Sequence, residues 1–275
     1  MKTKIFFATL LTAALAVHAT PISESIVTDI IKDVSVVDAS TKAAAPTSLS
    51  ALVKAPNLVR TGPESRAELT APDQTVTRVG ANSVFAFEPE SRAVRLEKGS
   101  VLFHSPKGKG GGVIKSGGAS AAVLGSTLIC SAAADGTFKT VFLEGKDCVV
   151  TLKNGKSVTL HPGQMVVVLP GQNDFGPVMD IDLAKLADSS LLIKGFSHEL
   201  ASWPLILAVI DDQKTRGGTG TPASVLNGNT LDNNTQQTGT GAPADRELLP
   251  AIGSAINSLP GFNGNSAAGN VAPTK

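Results

Sequence analysis

Tyrosine is absent from this chain, tryptophan occurs once, and aromatic residues make up 4% of its 275 residues. Tyr and Trp carry most binding hot spots, so a broad aromatic recognition surface is excluded. No sign of charge dominates: the formal net charge is +1. Binders of a phosphate backbone gather Lys and Arg on one face, whereas the basic residues here are interleaved with acids, which argues against a nucleic-acid partner. Past the N-terminus no apolar run approaches the roughly 20 residues that a spanning helix needs. Cysteine is scarce too. Cys130 and Cys148 are the only two, and two readings stand for them: a disulfide, or two buried free thiols.

Catalytic signatures are also missing. There is no Gly-x-Ser-x-Gly elbow and no Cys with a plausible His partner. His104, His161 and His198 show no paired spacing with each other or with Cys, so no metal ligand set is legible. The run Lys107-Gly108-Lys109-Gly110-Gly111-Gly112 lacks a Gly-Lys-Ser/Thr ending and is followed by a strand-like segment, so it reads as a strand-to-strand loop instead of a phosphate cradle. The paired carboxylates, Asp180 with Asp182 and Asp211 with Asp212, fall at helix ends, where capping or solvated acids are usual. The chain is expected to be no enzyme, with no catalytic residue, no cofactor and no metal.

What is present begins with a leader. Lys2 and Lys4 precede an apolar run from Ile5 to Val17, and Val17 and Ala19 supply small residues before a cut preceding Thr20. Those are the three parts of a secretory signal peptide, residues 1–19, with an uncleaved anchor as the alternative. An exported protein is expected, periplasmic or at the cell surface of a bacterium, with no membrane span after cleavage.

The organising stretch is Ala122 to Leu169. Five β-rich runs are separated by Asp135-Gly136, Glu144-Gly145, Asn154-Gly155 and His161-Pro162-Gly163. Such pairs supply positive φ cheaply and signal hairpins. Hairpin pairing would set Cys130 opposite Lys139 or Thr140 and Cys148 opposite Leu143. Upstream, Ile26 to Val37 reads as one or two strands, or as a helix, and Ala39 to Pro46 as a loop. From Leu58, turns at Gly62-Pro63, Pro72-Asp73 and Gly80-Ala81-Asn82 punctuate short strands. Ala67 and Leu69 share one face, with Arg66, Glu68 and Thr70 on the other; Val94 and Leu96 point inward between Arg95 and Glu97. Short strands at roughly ten-residue spacing predict an all-β, antiparallel sandwich or roll of hairpin-linked strands.

After Pro170 the pattern turns helical. Asp180-Ile181-Asp182 opens a short helix carrying Leu183, Leu186 and Ala187. Ser202 caps a second one, with Trp203 and Pro204 in its first turn and Trp203 as a packing anchor. That helix should end near Asp211 and Asp212, which sit poorly against a C-terminal dipole. Residues after Gly217 are rich in Gly, Thr, Asn and Gln and read as disordered, with weak helical periodicity over Leu248 to Leu259. The organisation is thus 1–19 leader, 20–57 N-terminal strand and loop, 58–178 β domain, 179–215 short helices, and 216–275 low-complexity tail.

Several stretches resemble the FecR domain. Val59-Arg60-Thr61-Gly62-Pro63-Glu64-Ser65-Arg66-Ala67-Glu68-Leu69 and Arg78-Val79-Gly80-Ala81-Asn82-Ser83 look like its opening, and Leu96-Glu97-Lys98-Gly99-Ser100-Val101 like its middle. Val123-Leu124-Gly125-Ser126-Thr127, Val141-Phe142-Leu143-Glu144-Gly145-Lys146 and Leu160-His161-Pro162-Gly163-Gln164-Met165 resemble its closing strands. The resemblance runs from about Ile26 to Leu169. It implies an exported all-β domain, in its best-known setting the periplasmic sensor of an iron-uptake regulator. This chain carries a leader where that regulator has a cytoplasmic anti-sigma segment and a membrane helix, so the stand-alone exported members are the nearer match. Gln74 stands where the family often has Gly. The expected role is a non-catalytic envelope protein that binds a protein or an envelope polymer, with a structural or carbohydrate-associated surface component, or an enzyme on envelope polymers, as alternatives.

Overall fold

The computed structural model describes residues 20–216. The leader, the tail and the Leu248–Leu259 periodicity lie outside the described residues.

Among the described residues, seventeen strands alternate between two sheets. The chain opens with β1 (Glu24–Ile31), β2 (Val34–Val37), β3 (Ala44–Pro46), β4 (Leu52–Lys54) and β5 (Leu58–Thr61). It continues through β6 (Arg66–Thr70), β7 (Val76–Val79), β8 (Val84–Phe87) and the long β9 (Ala93–His104). Beyond it come β10 (Gly112–Lys115), β11 (Ala119–Val123), β12 (Thr127–Ala132), β13 (Phe138–Glu144), β14 (Cys148–Leu152), β15 (Ser157–Leu160), β16 (Gln164–Val168) and β17 (Met179–Asp180).

Sheet A runs β4-β1-β6-β7-β9-β12-β13-β16-β17. Sheet B runs β3-β2-β5-β8-β9-β10-β11-β14-β15. The shared strand is β9. Its first half, through Lys98, pairs with β8, and its second half, from Gly99, pairs with β12. At the crossing Gly99 adopts φ 91. All neighbours are antiparallel except β9 with β10, which are parallel. The sandwich expectation therefore holds, with one correction: the strands form a mixed sheet, because the Gly-rich loop at 105–111 carries the chain back over the sandwich to re-enter sheet B in the same direction.

A second correction concerns the turns. Asp135-Gly136 and Asn154-Gly155 do close hairpins, β12–β13 and β14–β15. Glu144-Gly145 and His161-Pro162-Gly163 do not; they are corners at which the chain leaves one sheet for the other. Cys130 lies opposite Thr140 as the hairpin requires, but Cys148 pairs with Val123 and Leu160, not Leu143. Both thiols are buried and free. They face the same core from opposite sheets. Burial pushes both thiols up, Cys148 to about 12.

Period-two alternation sorts the side chains into layers. Val27, Ala67, Leu69, Val101, Phe103, Leu128, Phe138, Phe142 and Val166 from sheet A meet Val59, Phe85, Phe87, Val94, Leu96, Ile114, Ala121, Val150 and Leu160 from sheet B. The alternate positions of sheet A, Leu102, Ile129, Val141, Leu143, Met165 and Val167, point the other way. There they are covered by α1 (Leu183–Ser189), α2 (Leu191–Lys194) and α3 (Trp203–Thr215). Hence β12 and β13 are buried at every residue.

Among the described residues three helices stand where two were expected. Asp182 caps α1 as its position suggests, accepting from the Lys185 N–H at 3.0 Å. Ser190 then closes α1 and opens α2. Ser202 stands at the N-cap of α3 but makes no side-chain cap bond. Trp203 packs, half-buried, against the helix-covered core. The helix also runs past Asp211 and Asp212 to Thr215. Lys214 pairs with Asp211 and Arg216 with Asp212, which relieves the unfavourable dipole. Two N-terminal surprises complete the picture: β3 falls inside the Ala39–Pro46 stretch read as a loop, and β1 to β4 belong to the same two sheets as the rest. At the Pro72-Asp73 turn, Gln74 takes φ 70 and its N–H still reaches Ala71 O at 2.9 Å.

Candidate functional site

Two buried polar clusters fasten the helices to sheet A. The first lies on the β6–β7 hairpin, whose register sets Glu68 directly across from Arg78. Both project to the helix side. Arg78 Nε donates to Glu68 Oε2 at 2.8 Å, with side-chain exposures of 0% and 2%. The remaining guanidinium N–H groups donate to the carbonyls of Leu192 at 3.2 Å, Ile193 at 2.8 Å and His198 at 2.9 Å. Phe196 lies over the guanidinium, 4.4 Å from its ring centroid. His198 Nε2 and the Thr28 hydroxyl satisfy the other Glu68 oxygen at 2.8 and 2.7 Å. Asp29 accepts from the Ser197 N–H and hydroxyl, each at 2.8 Å. Burial alone would raise that carboxyl, but the Ser197 bonds outweigh it and hold it below its ordinary value. Three of the Arg78 N–H groups thereby bind α2 and the α2–α3 connection while Nε holds Glu68, which makes this a structural clamp.

The second cluster sits under the N-terminus of α3. The Thr127 hydroxyl donates to Glu144 Oε1 at 2.5 Å, lies 2.8 Å from the Ser202 hydroxyl and 2.9 Å from His104 Nδ1. This explains why Ser202 caps nothing: its hydroxyl is turned into the sheet. His104 stands 3.9 Å from Glu144, yet burial lowers its pKa to about 4. The imidazole is therefore neutral near pH 7 and the contact is not an ion pair there. Burial raises Glu144, against smaller opposing effects of Thr127 and Lys107.

The sign of the acid response follows. Folded His104 titrates below its ordinary 6.5, so the unfolded chain takes up the proton first. Stability is whole above about pH 6.5 and is lost as pH falls toward 4, by up to about 3 kcal/mol. Glu144 works in the opposite direction, since folding favours its neutral form. We expect His104→Asn to flatten the change in urea midpoint between pH 7 and pH 4.5. An unchanged slope would assign the acid response elsewhere.

Beside this cluster a groove of about 440 Å³ opens, lined by Lys107, Leu124, Glu144, Lys146, Leu205 and Val209 among others. Leu124 is 74% exposed and Leu205 42%. On the opposite side of the molecule lies the outer face of sheet B. The strand registers place Ala93, Val113, Ala122, Val149 and Thr159 in one cross-strand row. Arg95, Lys115, Ser120, Thr151 and Ser157 form the next. Val113 and Ala122 are half-buried, and Val149 is 38% exposed.

Among the described residues no group of His, Cys, Asp and Glu is placed to hold a metal ion. Both His104 and His198 serve the clamps, while His161 approaches Asp147 at the surface. The loop at 107–112 joins β9 to β10. No helix among the described residues is long and apolar enough to cross a membrane. Sequence reasoning missed both clamps. A hairpin register counted outward from Pro72-Asp73 would have paired Glu68 with Arg78; nothing local links Thr127, Glu144 and Ser202.

These features define a two-sheet sandwich with the outer face of sheet A covered by helices. Residues 57–146 match the model of the family described as FecR protein. No match was found among curated proteins. Two crystal structures of a proposed anti-sigma factor from Parabacteroides distasonis ATCC 8503 each share 19% identity with it, with a TM-score of 0.42, over 47% of this chain and 62% of theirs. The chain thus spans less than two thirds of that protein.

Proposed function

We propose that this is an exported, non-catalytic regulatory protein of the bacterial envelope that acts by binding a protein partner across the outer face of sheet B. The observation that carries the reading is the apolar row Val113-Ala122-Val149 on the outer face of sheet B, half-buried at Val113 and Ala122 and 38% exposed at Val149, which continues from buried Ala93 and is bordered by Arg95 and Lys115. An antiparallel face turned to water normally alternates to polar residues; this row does not. Small side chains let a partner approach closely, and the bordering ion pairs Arg95–Glu97 and Lys115–Glu88 supply a polar rim. Export is supported by the leader. A cut before Thr20 also keeps the contacts of the chain's entry, where Arg92 donates to Thr20 O and the Ile22 N–H donates to Ser91 O at 3.0 Å.

The test is capture from envelope extract under gentle conditions, comparing wild type with Val113→Glu/Val149→Glu. Both positions face outward, so the fold should survive and the captured partner should be lost at least tenfold. Equal recovery by the double variant would overturn the surface assignment. N-terminal sequencing of the exported protein should begin at Thr20.

A further inference from the structure

The α2–α3 connection that closes the first clamp also walls a cavity of about 450 Å³. Buried Ile193 and Leu200 form its floor, Phe196 and Trp203 its walls, and Lys194 and Glu199 stand at its rim. That volume lies in the range of ordinary small-ligand sites. An aromatic lining is exceptional in this chain. Phe85, Phe87, Phe103, Phe138 and Phe142 are sealed in the sandwich core, at most 2% exposed. Phe196 and Trp203 are instead half-buried and line the cavity.

The charges around the cavity cancel, with one exception. Glu68 matches Arg78 beneath Phe196, and Asp188 matches Lys194. His198 is committed to Glu68. Arg66 lies close enough to Asp29 to feel its charge. Glu199 is exposed and enters none of the ion pairs among the described residues. An unmatched carboxylate and an indole lining one cavity attract a cation together, the first by its charge and the second by its ring quadrupole. Phe196 already has the Arg78 guanidinium over its ring, 4.4 Å from the centroid, so the aromatic platform for a further cation is Trp203. We propose that this cavity binds an organic cation with a short apolar stem, the stem against Ile193, Phe196 and Leu200 and the charged head at Trp203 and Glu199. An alkylguanidinium suits it best, because its planar head stacks on an aromatic face and presents paired N–H groups to a carboxylate. Two sources offer that head: a free small molecule and an arginine side chain of a peptide. The cavity is on the helix side of the molecule, away from the outer face of sheet B, and stands independently of the partner reading.

Trp203 is the only Trp and Tyr is absent, so indole emission from the full chain reports this cavity directly. Titration with n-butylguanidinium should give a saturable change. Its uncharged counterpart n-butylurea should bind at least tenfold more weakly. Calorimetry on the same two compounds reads the binding without relying on the indole. Glu199→Gln should weaken n-butylguanidinium at least fivefold and leave n-butylurea unchanged, and Glu199→Asp should recover part of the loss. A capped Gly-Gly-Arg-Gly-Gly peptide separates the sources: tighter binding than n-butylguanidinium assigns the site to a peptide side chain, and equal or weaker binding to a free cation. Equal binding of the cation and the urea, an unchanged affinity in Glu199→Gln, or no saturable binding by either method up to tens of millimolar would overturn the proposal. None of these outcomes touches capture by the sheet B face, which is read separately from the Val113→Glu/Val149→Glu variant.

Discussion

Arg78→Met is expected to cost about 3–5 kcal/mol, the usual penalty for removing one partner of a buried ion pair. The loss has two parts. Glu68 is left 2% exposed with its charge uncompensated, and the carbonyls of Leu192, Ile193 and His198 lose the only donors the guanidinium gave them. The α2–α3 connection should then separate from sheet A, so amide exchange will rise first across 191–200 and only later in β12 and β13. Arg78→Met with Glu68→Leu should recover much of the loss, because no buried charge then remains. A double variant as unstable as the single one would show that the carbonyl contacts, and not the ion pair, dominate. Chemical denaturation with exchange mapping decides between them.

Gly99→Val is the second large effect, expected at about 2–5 kcal/mol. A side chain at φ 91 is strained by roughly 1–2 kcal/mol wherever it occurs. Here a Cβ would also stand 2.1 Å from Ser83 Oγ and 2.4 Å from Ser83 Cα, and overpacking of that kind adds about 1–3 kcal/mol. The contact cannot relax by a rotamer change, since one colliding atom is backbone and Ser83 is itself held by the Ser100 N–H at 3.0 Å. Because β9 crosses from sheet B to sheet A at this residue, the damage should uncouple the two sheets. Gly155→Ala is the control. It shares a positive φ of 88 with nothing within 4 Å of the added Cβ, so it should cost only about 1–2 kcal/mol. Equal losses in both variants would remove Gly99 from its role as crossing point.

The strands were legible because alternation and turn residues are local. Val94 and Leu96 point inward, and Arg95 and Glu97 outward, as their spacing requires. The sheet to which each strand belongs was not legible. Asp135-Gly136 and Glu144-Gly145 have the same turn chemistry, yet the first closes a hairpin and the second rounds a corner, since a glycine at positive φ serves both. The misplaced partner of Cys148 comes from that ambiguity. Burial on both faces was hidden for a related reason: Glu68, Arg78, Thr127 and Glu144 carry polar side chains to the outer side of sheet A, and only the later arrival of α1 to α3 encloses them. The groove at Leu124 escaped notice because it is built from a corner, a strand end and a helix distant in sequence. The open face of sheet B becomes visible only when the registers of β9, β10, β11 and β14 are laid side by side.

The central claim is that sheet B, opposite the helix-locked face, is the surface by which this protein works. The most direct measurement places a photocrosslinking residue at position 149 in the protein expressed in its own cells, with the same probe at Lys153, in the β14–β15 turn, as reference. The account predicts one discrete heavier protein adduct from position 149 and little from 153. No adduct from 149, or the same adducts from both positions, would contradict it.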